Sequence, residues 1–114
     1  MKSKILALSK NEEFKKLLQQ KKVSNKYVTI FFGYLNNKNK NFFNISFVTK
    51  KKIGNAVKRN KIKRRLRNIM NSAFKEISIN LSYSYLVIAK PTMLSSKFKE
   101  IKETLFQEFR KLRK

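Results

Sequence analysis

Hydrophobic positions along this chain fall into two periods, and the change of period marks out its elements. Phe14, Leu17 and Leu18 recur at i, i+3 and i+4, which predicts a helix over about 11–21. Ser9 and Glu12 have the Ser-x-x-Glu spacing of a capping box at its start. Residues 27–35 are mostly β-branched or aromatic, with apolar residues on both faces, and predict a central strand. After a polar turn at 36–41, Phe43, Ile45 and Phe47 alternate with Asn44 and Ser46 as a second strand. This strand is antiparallel to the first if the turn closes a hairpin.

The longest helix follows. Ile62, Leu66, Ile69, Met70, Ala73, Phe74 and Ile77 form one stripe of period 3.6, and Asn60, Lys63, Arg64, Arg67 and Asn71 fall on the opposite side. Val57 is out of phase with the stripe, so the helix begins near it or bends there. Residues 83–89 predict another strand, stopped by the single proline, Pro91. A last helix from about Ser96 carries Phe98, Ile101, Leu105, Phe109 and Leu112 on one face. The order is α-β-β-α-β-α, with room for a further strand near Val23. It predicts a single α+β domain over residues 1–114, a two-layer sandwich with helices packed on a small sheet.

Composition narrows the chemistry. The 114 residues include 29 Lys or Arg against 6 acids, a formal charge of +23, with no Cys and no His. Disulfides, thiol nucleophiles, imidazole catalysis and thiolate or imidazole metal sites are therefore excluded. The acids are all glutamates and none belongs to the acidic cluster a two-metal nuclease needs, so neither catalytic residues nor a protein-held metal is expected. Ten Phe and four Tyr are enough for a real core, which a disordered basic tail lacks. No apolar run approaches the length of a spanning helix, and the few apolar residues after Met1 are too short for a secretory core, so a cytoplasmic location without membrane association is expected. So large a positive charge points to a polyanionic partner.

The charge is concentrated. Residues 50–67 hold ten basic side chains and no acid, whereas an ordinary solvated helix face mixes signs to form i, i+4 pairs. Lys63, Arg64 and Arg67, held on one side by the stripe beneath them, make a cationic ridge suited to phosphates. Asn60 within it suits a phosphate, a 2′-hydroxyl or a base edge. This is a nucleic-acid surface, and composition alone does not choose RNA over DNA.

The run Lys51-Lys-Ile-Gly-Asn-Ala-Val-Lys-Arg-Asn-Lys-Ile-Lys-Arg64 resembles the Arg-Asn-Arg signature of the protein subunit of bacterial ribonuclease P. The similarity continues through residues 8–14 and 86–91, and so spans nearly the whole chain. It implies an auxiliary subunit: a ribozyme RNA removes the 5′ leader of precursor tRNA with Mg²⁺ bound by RNA, and the protein, one copy per RNA, binds that RNA and the leader. Carried over by position, the resemblance places Lys51, Lys52, Lys58, Arg59, Asn60, Lys61, Lys63, Arg64 and Arg67 on the ribozyme RNA. It places Phe14, Leu18, Phe32 and Lys90 in a leader cleft between the first helix and the sheet. It also implies a mixed sheet with a left-handed βαβ crossover, as in a ribosomal-protein domain, against the general right-handed preference. Lys61 stands where the family has a second Arg, losing the planar fork, and Leu18 where it usually has an aromatic. Asn44, Ser46 and Lys21 replace a usual Arg, Gly and Gly.

Other readings of the same residues stand beside these. Phe14 and Phe32 fit a core as well as a cleft, and Tyr27, Tyr34, Tyr83 and Tyr85 could stack bases or edge the core. The basic C-terminal cluster suits the helix dipole, and Gly54 suits a strand-to-helix turn. A small structural ribosomal protein would share the composition but not the long signature.

Overall fold

Five strands form one mixed sheet in the order β1-β4-β5-β3-β2, with helices on both faces. The computed structural model describes residues 5–8, 11–36, 38 and 41–112. The elements in chain order are β1 (Ile5–Leu6), α1 (Glu12–Leu18), β2 (Lys21–Ser24), β3 (Val28–Gly33), β4 (Phe43–Val48), α2 (Ala56–Glu76), β5 (Ser84–Ala89) and α3 (Phe98–Lys111). Single 3₁₀ turns at Lys51–Ile53 and Pro91–Leu94 lead out of β4 and β5. The strand foreseen near Val23 is β2. The first helix is shorter than its apolar spacing predicts, because Lys21 already belongs to β2. Its N-cap residue, Asn11, makes no side-chain capping bond, and Ser9 lies outside the described residues.

The hairpin expected between the strand at 27–35 and the strand of Phe43, Ile45 and Phe47, which are β3 and β4, does not form. β3 pairs antiparallel with β2 and β5, and β4 pairs parallel with β5 and β1. The connection over 34–42 is longer than a tight hairpin loop, so it does not force the two strands together. β5, whose centre reads Tyr-Leu-Val-Ile, is apolar on both faces and takes the middle of the sheet, separating β3 from β4. The parallel pair β4–β5 makes α2 a crossover helix.

Strand alternation divides the core. Ile30 and Phe32 of β3, Phe43 and Ile45 of β4, and Tyr85 and Val87 of β5 face α2 and α3. They meet Ile62, Leu66, Ile69, Met70 and Ala73 of α2, and Ile101, Leu105 and Phe109 of α3. The Phe43 ring lies edge-on to Tyr85 at 5.5 Å and to Phe109 at 5.9 Å. Phe31 and Leu86 face the opposite way, and pack with Phe14 and Leu17 of α1. Phe98, placed on the buried stripe by its spacing, is half exposed because α3 only begins there. The question of Val57 resolves as a helix start: it is 76% exposed in the first turn of α2, whose N-cap Asn55 accepts the Lys58 N–H at 3.0 Å. The entry to this helix turns on Gly54 at φ +153°, a backbone that L side chains rarely adopt.

The β2–β3 turn is fixed from three sides. Asn25 Oδ1 accepts the N–H groups of Tyr27 and Val28 at 2.9 and 3.0 Å, and Asn25 Nδ2 donates to Glu108 of α3 at 3.2 Å. Lys90 Nζ, at the end of β5, donates to Ser24 Oγ at 2.7 Å and to the Asn25 carbonyl at 2.5 Å.

Candidate nucleic-acid interface

The buried stripe of α2 determines where its charges go. With Ile62, Leu66, Ile69 and Ala73 turned to the sheet, Lys58, Asn60, Lys61, Lys63, Arg64 and Arg67 are exposed, and Lys51 and Lys52 extend the run through the preceding 3₁₀ turn. Arg59 is half-buried, and its Nε is shielded from water with no hydrogen-bond partner. The ion pairs found among the described residues, Lys38 with Glu13 and Lys102 with Glu76 at 3.9 Å, leave the ridge untouched. Among the described residues its charge therefore has no ion-pair partner.

The ridge runs into a groove of about 650 Å³. Phe14 of α1 lines it from one side, Ser46 and Thr49 come from β4 and the residue after it, and Lys63 and Arg67 reach in from α2. Two ridge cations thus share one cavity with an aromatic ring of the other sheet face. The groove also uses residues that periodicity does not single out. Ile5 and Leu8 line it, and the Leu8 N–H donates to Ser46 Oγ at 2.7 Å. A two-residue strand leaves no periodic signal, so the contribution of β1 was not visible in the chain.

Of the residues placed in the cleft, Phe14 is half-buried at the groove and Leu18, one turn on, is 49% exposed. Phe32 is a correction. It is only 7% exposed on the α2–α3 face, with its ring 5.3 Å from that of Tyr83. Successive side chains of a strand point to opposite faces, so the ring on the α1 face is its neighbour Phe31. Lys22 of β2 sits across the register from Phe31 with Nζ 5.9 Å from the ring centroid, a cation over an aromatic face. Lys90 is engaged in the β2–β3 turn, where its ammonium donates to Ser24 and to the Asn25 carbonyl.

The tyrosines separate as well. Tyr27, Tyr83 and Tyr85 are buried, whereas Tyr34 is 63% exposed. Burial, together with the charges that Tyr83 and Tyr34 would carry on ionising, holds the Tyr85 phenol well above its ordinary pKa, and its hydroxyl donates to the Asn80 carbonyl at 2.8 Å. Among the described residues no three His, Cys, Asp or Glu side chains come together as a metal site. No helix among them is long and apolar enough to cross a membrane.

A cationic helix ridge meeting an aromatic groove on a mixed sheet defines a nucleic-acid-binding protein of the α+β class. The chain belongs to the ribonuclease P protein family, whose model, Ribonuclease P, matches residues 3–113. It is 32% identical over 109 residues to the ribonuclease P protein component of Alkaliphilus metalliredigens, covering 93% of this chain and 92% of that one. It is 32% identical over 113 residues to that of Mesomycoplasma hyopneumoniae, covering 97% and 96%. In fold it is similar to the ribonuclease P protein from Thermotoga maritima, with a TM-score of 0.77 over 93% of this chain and 96% of that one at 21% identity. The protein is thus an RNA-binding subunit of ribonuclease P, the ribonucleoprotein endonuclease that processes the 5′ ends of tRNA, and its partner is the ribonuclease P RNA.

Proposed function

We propose that the α2 ridge seats this protein on the ribozyme RNA while the groove and the α1 face of the sheet hold the 5′ leader of precursor tRNA. The observation that carries the reading is the groove itself, where Phe14 of the cleft and Lys63 and Arg67 of the ridge line one cavity. In this arrangement Lys51, Lys52, Lys58, Arg59, Lys61, Arg64 and Arg67 neutralise ribozyme phosphates. Asn60 reads a 2′-hydroxyl or a base edge. Phe14 and Phe31 offer faces for leader bases, Leu18 packs beside them, and Lys22 meets a leader phosphate. Mg²⁺, held by RNA, supplies charge neutralisation and an activated water for phosphodiester hydrolysis. The protein positions the substrate. One copy serves each RNA, in the cytoplasm.

The reading is tested by the affinity of the reconstituted holoenzyme for tRNA with and without a leader. Phe31→Ala and Phe14→Ala are each expected to weaken precursor binding by about 5- to 150-fold, the worth of one base–aromatic stack, and to leave mature tRNA unchanged. Equal losses on both substrates would overturn the leader assignment.

A further inference from the structure

Tyr34 is an exposed aromatic that the leader cleft does not use. It lies just past the end of β3, on the face opposite Phe31, and its ring centroid is 4.8 Å from that of the buried Tyr83. Tyr83 in turn contacts Phe32 at 5.3 Å and Tyr85 at 6.2 Å, so Tyr34 is the outermost ring of a stack rooted in the core. Its backbone is held too: Gln20 Nε2 donates to the Tyr34 carbonyl at 3.2 Å. A ring supported from beneath and exposed on its outer side loses little freedom when a base stacks on it.

The edge strand β2 connects this ring to the cleft. Lys22 pairs with Phe31 and Lys21 with Phe32, so the two lysines lie on opposite faces of the sheet, both exposed. Lys22 stands over the Phe31 ring on the cleft face, and Lys21 is diagonal to Tyr34 on the other. Among the described residues no strand pairs with the outer edge of β2. A polyanion leaving the cleft at Phe31 therefore meets one cation on each side of this edge, and then an aromatic face.

We propose that Tyr34 with Lys21 is a second stacking site for the 5′ leader, taking nucleotides beyond those held in the cleft after the strand passes over β2. The site rests on the leader reading above and adds a leader-length dependence to it. Short leaders end inside the cleft, and only longer ones reach Tyr34.

The test uses the reconstituted holoenzyme and precursor tRNAs whose leaders are lengthened one nucleotide at a time. Tyr34→Leu keeps an apolar cover on Tyr83, and is expected to lose about 5- to 150-fold in affinity for the longest leaders and nothing for the shortest or for mature tRNA. Lys21→Gln is expected to weaken the same long-leader step. The chain has no Trp, so Tyr34→Trp places a single reporter at the site. Its fluorescence is expected to be quenched by long leaders only, a readout that stands even if the Leu variant folds poorly. Wild-type affinity of Tyr34→Leu at every length, with Trp fluorescence indifferent to length, overturns the proposal while leaving a length-independent Phe31→Ala defect, and hence the cleft, intact. Loss of affinity for mature tRNA as well would also overturn it, by showing that Tyr34 faces the tRNA body or the ribozyme. If Phe31→Ala proved silent, the cleft reading itself would be the part that failed.

Discussion

Neighbouring phenylalanines on β3 have opposite fates, and the difference is one of parity. Phe31 faces α1 beneath Lys22, while Phe32 sits in the main core against Tyr83. Residues 27–35 are apolar at nearly every position, so alternation in the chain cannot say which ring faces the cleft; only the register with β5 does. Phe32→Ala is therefore expected to cost about 3–5 kcal/mol of folding stability in a urea titration, as a large aromatic deleted from a packed core does. Phe31→Ala is expected to leave the unfolding midpoint much closer to wild type and to act on leader binding. Tyr85 makes a second prediction at this scale. A phenol held above its ordinary pKa of about 10 keeps its proton in the native state after the unfolded chain has lost it, so its stabilisation is complete below about pH 10 and declines as pH rises further. Tyr85→Phe is expected to lose about 1 kcal/mol at neutral pH, with its hydrogen bond to Asn80, and to flatten that alkaline decline when stability is measured across pH.

At the level of elements, α2 was the most legible part of the chain and the short strands the least. Its stripe, from Ile62 to Ile77, spans about four turns at 3.6 residues each, so the buried face, and with it the exposed Lys63, Arg64 and Arg67, follows from spacing alone. Replacing Arg64 with Ala removes a side chain that touches none of the core, and is expected to lower the salt slope of binding to the ribozyme RNA by about one unit with the fold intact. Gly54 sets the angle at which the ridge leaves β4. A Cβ there meets a φ of +153° and lies 2.9 Å from Lys58 Cδ, so Gly54→Ala is expected to cost about 1–3 kcal/mol, read as a lower unfolding midpoint. β1 and the pairing of β4 were not legible for a common reason. Both depend on contacts between segments distant in the chain, such as Leu8 with Ser46, for which local pattern carries no information.

For the whole molecule, charge and topology divide the labour. The +23 chain concentrates cations on the outer side of α2, and the sheet carries α2 and α3 on one face while α1 rises from the other, leaving a groove where the two surfaces meet. The electrostatic half of this site was readable in residues 50–67, because a cation run without acids has few other uses. The aromatic half was readable only in part: Phe14 lies at the groove, but the resemblance that pointed to Phe32 and Lys90 could not supply the strand parity and turn contacts that place Phe32 in the core and tie Lys90 to Asn25.

With the chemistry in the RNA and positioning left to this chain, one reconstitution tests the division of labour directly. Cleavage of precursor tRNA at low Mg²⁺ is measured with the protein alone, with ribonuclease P RNA alone, and with the two together. The expected result is no cleavage by the protein, little by the RNA, and efficient release of the leader by the pair, with the gain falling when Arg64 is replaced by Ala and the protein is kept dilute. Cleavage by the protein alone, or a pair no better than the RNA, would contradict it.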